Sequence, residues 1–501
     1  MNPSMRYTAH WTRRERNAMV DHKEMIQQAW EYVNDVWEDV VEDIDALVQV
    51  ESVEDLEHAG PGMPFGPAPR EALDRALGIA ARLGLATHES EGFIGFADLP
   101  GTSERYLATI AHSDIVPLGP GWTVDPLRVT RRDGYLLGRG VLDDKGPLVL
   151  SLYAAHYFVR LAREGADPLP YTLRCIVGAN EETGMRDVDH YAEHFPQPVF
   201  CFTPDACFPL ICGEKGRLGV RVSSELMPAR NGAIVSLEGG SAENAVPGVA
   251  SALVRANPED MPAAEGIEVE QADESAGDTA ILRVTARGKG GHASLPEGTE
   301  NAIGMLVSYL ADAGICSEGE QRFLRFERAL LADAYGKALG IAVEDEAFGA
   351  LTCVGGTVRT VSEGDGVRFV QSIDIRYPTS VSGESLLEAL ASRADECGCQ
   401  ILSHDDMPPF YLSPDADDVR ALVDTYQQVT GSNEEAFTIG GGTYARHFAR
   451  AVAFGPDVMG EEKPDWVGQE HGPDEGVSEQ SLKQALVTYI VAIQRLAQLE
   501  W

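Results

Sequence analysis

Apolar residues between Lys23 and Val50 (Met25, Ile26, Ala29, Trp30, Val33, Trp37, Val40, Val41, Ile44, Leu47 and Val48) recur at steps of three and four, which predicts an amphipathic helix at the start of the fold. The Gly/Pro-rich run AGPGMPFGPAPR interrupts the chain before a second helical pattern from Glu71 to Leu83. RYLATIAHSDIVP then reads as a short buried strand entering a loop, and Gly146 to Glu164 as a helix. YTLRCIVGANEETG reads as a strand ending in two acids, and PVFCFTPDA as another with a carboxylate just past its end. Three strands thus deliver polar residues at one edge, as expected of an open α/β sheet with its site along that edge.

After about Glu214 the texture changes to alternating stretches, GRLGVRVSSEL, AILRVTARGKGG and VRFVQSIDIRYP, which suit a more antiparallel sheet with helices beside it. Residues 1–214 therefore read as the first part of one domain, 215–408 as an inserted domain, and 409–501 as the return to the first. The acidic run NPEDMPAAEGIEVEQADESAGD reads as an exposed connection within the insert. Beyond DDMPPFYLSPDADD come a helical pattern (VRALVDTYQQVTG), a strand (RAVAFGP) and a terminal helix from Glu479 to Leu499. The longest apolar stretch, Pro147 to Ala162, is broken by His156 and Arg160 and is too short to span a bilayer.

Composition narrows the function. The 501 residues are 44% hydrophobic, which excludes a mainly disordered chain, and 40 basic against 79 acidic side chains give a net charge of -39. Such a surface repels phosphate backbones and anionic headgroups, so neither nucleic acid nor membrane is expected as a partner. It also fits adaptation to salt. The eight cysteines form no CxxC pair, which favours reduced thiols in a cytoplasmic protein over disulfides or a cysteine zinc site. The first residues contain early arginines but no apolar core of a secretory signal.

Candidate chemistry begins with AHSDIVP, where His112 and Asp114 sit two apart at a strand end and project to one face. Downstream, Asp143, Glu182 and Asp205 follow buried apolar runs, where uncompensated carboxylates would be costly, so a cation is expected among them. Taken singly, each acid reads equally as a helix cap or a solvated loop charge. With His471 of QEHGPDE they form an N/O set suited to zinc, or to manganese or cobalt in a paired site. The twin acids of NEETG offer a base beside a ligand. Of the other histidines, His10, His22, His58, His88, His190, His194 and His404 read as solvated in polar helix or loop contexts, and His156 and His447 as packed.

The series HSDIVP, DGYLLGRGVLDDKGP, NEETG, TPDACFP, GHAS, IDIRYP and IGGGTYARHF resembles the M20 metallopeptidase family, and within it the PepV-like dipeptidases of the carnosinase and aminoacylase group. The resemblance runs from about Gln27 to Gln498. It implies an α/β protein, a mixed-sheet zinc-peptidase catalytic domain with an inserted α+β lid domain. It implies two divalent metal ions, zinc with manganese or cobalt as alternatives, held by His112, Asp143, Glu182, Asp205 and His471, with Asp143 bridging and Asp144 in support. Glu181 would be the general acid and base, Asp114 would orient His112, and His292 would stabilise the oxyanion from the lid. Arg376 would bind the C-terminal carboxylate of a small peptide, aided by backbone amides of Gly441, Gly442, Thr443 and Tyr444, with Asn244 near the substrate.

The implied reaction is hydrolysis of short peptides; the alternatives are deacylation or desuccinylation of N-acyl amino acids, and a non-catalytic peptide-binding relative. The enlarged insert favours a monomer over a dimer. Two segments depart from the family pattern: the first twenty or so residues, and the insertion DVMGEEKPDWVGQE before His471.

Overall fold

The opening helix spans Arg13–Val48 and buries Ala29, Val33, Val40, Ile44 and Leu47, residues three, four and seven apart that form one apolar stripe. The computed structural model describes residues 13–230, 232–276 and 279–501, and its chain divides into two compact units. The first comprises residues up to Cys212 together with Leu412–Phe437 and Thr443–Trp501. The second comprises Gly213–Tyr411 and Thr438–Gly442, so five residues belong to the second unit although the chain on either side of them belongs to the first. Each unit has its own apolar core.

In the first unit the opening helix packs on the helices Lys145–Arg163 and Glu479–Leu496. The helix Lys145–Arg163 also contacts the sheet, and its first turns are buried all round, which is why LVLSLYAA shows no polar face. The second helix runs Pro67–Leu83, starting earlier than its apolar periodicity indicates, because Pro67 at the first helical position is already set at a helical φ. Its C-cap Gly84 is left-handed.

The sheet of this unit runs Ala86–Ser90, Ile94–Leu99, Thr172–Gly178, Tyr106–His112, Phe200–Thr203, Ala451–Ala453, and Ile211 pairs with Ala453 beyond it. Tyr106–His112 is parallel to both Thr172–Gly178 and Phe200–Thr203, and Ala451–Ala453 is parallel to Phe200–Thr203. Parallel neighbours require crossovers, and the helix Lys145–Arg163 supplies one of them. His112 is in register with Gly178, so the C-terminal ends of these strands lie side by side.

The second unit is an antiparallel sheet in the order Ile267–Ala276, Thr279–Arg287, Val249–Arg255, Ile234–Gly239, Thr352–Glu363, Gly366–Tyr377, Gly216–Ser223, Gln400–Met407. The strand Ile267–Ala276 corrects the reading of the acidic run as a connection. Ile267 and Val269 pack against the core while Glu268 and Glu270 face solvent, and the acids of an edge strand conceal its period of two. Among the described residues no helix is long and apolar enough to cross a membrane, and all eight cysteines are unpaired.

Glu327, on the helix Glu318–Leu330 of this unit, is fully buried, and neither carboxyl oxygen has a hydrogen-bond partner. Burial pushes it from 4.5 up to about 8. The folded state therefore holds this proton more tightly than the unfolded chain, and the group's contribution is full below about 4.5 and lost as pH rises through about 8. Glu327→Gln is expected to match the wild type near the lower limit and to exceed it in stability at the upper, at about 1.4 kcal/mol per unit of pKa displacement. Urea unfolding of both proteins across this range measures the widening gap.

Candidate active site

The aligned strand ends of the first unit bring the candidate ligands together. His112 closes its strand, Glu181 and Glu182 lie three and four residues past Gly178, and Asp205 lies two past Thr203. Asp143 comes from the loop before the helix Lys145–Arg163, and His471 from the loop before the strand Gly476–Ser478. Asp143 Oδ1 is 3.0 Å from His112 Nε2, and its Oδ2 is 2.9 Å from His471 Nε2. One carboxylate thus stands between two imidazoles with one oxygen toward each. Asp205 Oδ2 is 3.6 Å from His112 Nε2, and Glu182 Oε2 is 3.2 Å from His471 Nε2. The five groups divide into a His112–Asp205 side and a His471–Glu182 side with Asp143 shared. Glu181 also comes close, since donor atoms of His112, Glu181 and Asp205 lie within 4.8 Å of one another.

Asp114 orients this cluster in two ways. His112 Nδ1 donates to its carbonyl oxygen at 3.1 Å, with Oδ1 at 3.4 Å, which turns Nε2 toward the acids. Its carboxylate accepts the amides of Glu181 at 3.2 Å and Glu182 at 3.1 Å. Asp144 is buried, and its Oδ2 accepts the His112 amide at 2.9 Å, so it supports the strand end rather than the cluster of donors.

The electrostatics call for a cation. Burial, then Asp205, pushes Glu181 well above the carboxylate range, while burial and Asp143 raise Asp205 to about 7. Glu182 is raised by burial, with His471 opposing. Burial acts against the charge of Asp143 as well, but hydrogen bonds from His112 and His471 prevail and lower it. His471 is pushed up to about 11 by hydrogen bonds to Asp143 and Glu182; His112 is raised, against burial, by Asp114 and Asp143. A bound cation would offset this crowding of buried negative charge. A set of carboxylates and imidazoles, with half-exposed His471 as its open side, fits divalent cations such as zinc or manganese.

Sequence reasoning missed several supporting residues. Glu475, fully buried, accepts the amides of Gly140, Leu142 and Asp143 and pairs with buried Arg139. Asp187 accepts the amides of Ala179 and Asn180 ahead of the twin acids, and also the Tyr444 hydroxyl. Arg139 and Glu475 lay within quoted motifs and Asp187 just past one, but only their pairing partners reveal the role.

In the second unit, His292 lies on a two-residue strand paired with Ala245–Val246, and the Asn244 carbonyl accepts the Ala293 amide at 2.9 Å. His292 Nδ1 is 2.7 Å from Ser294 Oγ, and its pKa is lowered by partial burial and by the charge of Arg376. Arg376 is held by Asp374 through Nε at 2.7 Å and Nη2 at 3.1 Å, and its Nη1 donates to the Gly440 carbonyl at 3.1 Å. His292, Arg376, Asn244 and the turn leading into Gly441 and Gly442 therefore share one unit. Thr443 and Tyr444 belong to the other, where Thr443 Oγ1 caps Ala445 N and the Tyr444 ring is buried.

Of the remaining histidines, His10 and the side chain of His22 lie outside the described residues. His156 Nδ1 lies 3.0 Å from the Tyr32 hydroxyl oxygen, and His447 pairs with Asp189 at 3.2 Å, so both are packed. His190 is not solvated as expected, because its ring stacks on Phe93 at 4.5 Å and 6°. His404 lies in an exposed strand rather than in a helix or loop.

The sequence matches Peptidase family M20/M25/M40 over residues 108–495. It is 32% identical over 470 residues to a Bacillus subtilis (strain 168) protein named "Putative dipeptidase YtjP", covering 92% of this chain and 97% of that one. A Staphylococcus epidermidis relative is 31% identical over 480 residues, covering 94% and 98%. The fold is similar to that of human carnosine dipeptidase 1, with a TM-score of 0.56 at 14% identity, and to that of the Saccharomyces cerevisiae di-peptidase Dug1p, with 0.59 at 11%. Each of these two alignments covers 95% of this chain and 99% of the other.

Proposed function

The chain belongs to peptidase family M20/M25/M40 and is a hydrolytic metallopeptidase, and from that premise we propose that it is a dipeptidase using two divalent metal ions. The observation that carries this reading is the Asp143 carboxylate, set between His112 and His471 with Asp205 on one side and Glu182 on the other. Bound by these five residues, the cations would polarise the scissile carbonyl and lower the pKa of an attacking water.

Glu181 takes the proton of that water on its carboxylate and returns it to the leaving nitrogen as the C–N bond breaks. Asp114, through the amide of Glu181, holds the acid in place. His292 donates to the oxygen that gains charge in the tetrahedral intermediate, a contact worth roughly 3 kcal/mol of barrier in comparable sites. Arg376 offers the N–H groups left over from Asp374 and Gly440 to the C-terminal carboxylate of the peptide. Backbone amides of Gly441, Gly442, Thr443 and Tyr444 add to that anion site, with Asn244 nearby. In this reading residues 215–408 act as a lid on a catalytic domain formed by 1–214 and 409–501, in a monomeric enzyme. The unpaired cysteines support a cytoplasmic location.

Dialysis against chelator, followed by zinc, manganese or cobalt, tests the proposal on a panel of dipeptides and their N-acetylated forms. Activity is expected to vanish with the metal, return on reloading, and require the free amine. Turnover indifferent to metal would overturn the metal mechanism, and preference for the acetylated forms would make the protein a deacylase.

A further inference from the structure

Arg139 and Glu475 form an ion pair whose side chains are 1% and 0% exposed, with Nη1 to Oε2 at 2.7 Å. Neither charge can be satisfied by water, so each bond it makes is a constraint. Glu475 Oε1 accepts the amides of Gly140 at 3.0 Å, Leu142 at 3.0 Å and Asp143 at 3.1 Å, and Oε2 is 3.2 Å from the Gly140 amide. Those amides are the backbone of the loop that presents Asp143. Arg139 Nη2 in turn donates to the His471 carbonyl at 3.1 Å, reaching a loop 332 residues further along the chain.

The His471 loop needs such a brace. His471 and Asp474 have φ of 62° and 54°, left-handed values that a non-glycine residue keeps only when its surroundings impose them. Asp474 is itself tied to Thr123 through the amide at 2.8 Å and the hydroxyl at 2.7 Å. The pair's side-chain bonds thus fall on the two loops whose imidazole and carboxylate stand 2.9 Å apart, apart from one long contact of Arg139 to the Leu118 carbonyl at 3.5 Å.

We propose that Arg139 and Glu475 are positioning residues that set the separation of Asp143 from His471, and through it the affinity for the cation those two residues share. The inference rests on the metal reading above and adds to it two residues whose side chains bond the backbone of the two ligand loops. Outer partners of ligands typically alter metal affinity by about 10- to 100-fold, and a clamp that joins two ligand loops acts on their spacing directly.

The test uses Glu475→Gln and Arg139→Lys in the full chain. The first removes the charge and sets an amide N–H against donors; the second keeps the charge but loses the fork that reaches Glu475 and His471 together. Zinc and cobalt dissociation constants are measured by chelator competition, with the visible spectrum of the cobalt form as a report on ligand geometry. Both variants are expected to bind about 10- to 100-fold more weakly with an altered cobalt spectrum. Asp98→Asn, which breaks the Arg174–Asp98 pair of the same unit, serves as control for general destabilisation and is expected to lower Tm with wild-type metal affinity. If Glu475→Gln fails to fold by circular dichroism, Arg139→Lys decides. Folded variants with wild-type affinity and spectrum would overturn the inference; a wild-type protein that bound no metal would overturn the function reading from which it starts.

Discussion

Exchanging Glu181 for Gln is expected to lower kcat by about 10²- to 10⁴-fold while metal content stays at the wild-type level. The substitution keeps the shape of the side chain and removes its ability to carry a proton away. It also leaves intact the amide through which Asp114 holds this residue at 3.2 Å, so the backbone has no reason to move. The measurement separates two roles that geometry leaves adjacent, because donor atoms of Glu181 lie within ligand reach of His112 and Asp205. Metal analysis of the purified variant against its single-turnover rate distinguishes them. Lost metal would make Glu181 a ligand, and wild-type turnover would remove it from the mechanism altogether.

The parts legible in the sequence were those with strong local signals. Tyr106–His112, Thr172–Gly178 and Phe200–Thr203 are parallel strands in the middle of a sheet, so their apolar runs are continuous and the polar residues mark their ends. His112, Glu181, Glu182 and Asp205 could be picked out for that reason, and His471 joined them as a further nitrogen donor in the QEHGPDE loop. The strand Ile267–Ala276 escaped because Ile267 and Val269, the two aliphatics that face the core, alternate with exposed Glu268 and Glu270 over too short a run to show a period of two. Arg139, Glu475 and Asp187 escaped for a different reason. A charged residue is usually solvated, and these three are buried with partners that include one from a remote part of the chain, Arg139 and Glu475 each other and Asp187 the hydroxyl of Tyr444. No local pattern encodes such a meeting. The same holds for Gly441 to Tyr444, a continuous motif that the fold divides between two units.

Asp143→Asn is expected to reduce kcat/KM by more than about 100-fold, beyond the range typical of residues that merely support a ligand. Each oxygen of this carboxylate faces a different imidazole, at 3.0 Å and 2.9 Å. An asparagine can present one oxygen only, so in either orientation one histidine confronts an N–H where the proposed metal pair would call for an oxygen. Neighbouring Asp144 cannot substitute, since it is fully buried with Oδ2 engaged by the His112 amide. The amide of residue 143 stays bonded to Glu475 in the variant, so the loop keeps its course and the defect is confined to the lost oxygen. Metal titration then ranks the two changes. Asp143→Asn should abolish the shared binding step, whereas Glu475→Gln should only weaken it, because the first deletes a donor and the second loosens the frame that holds it. If Asp143→Asn bound as much metal as the wild type, with the same affinity, the carboxylate between the two imidazoles would not be the bridge.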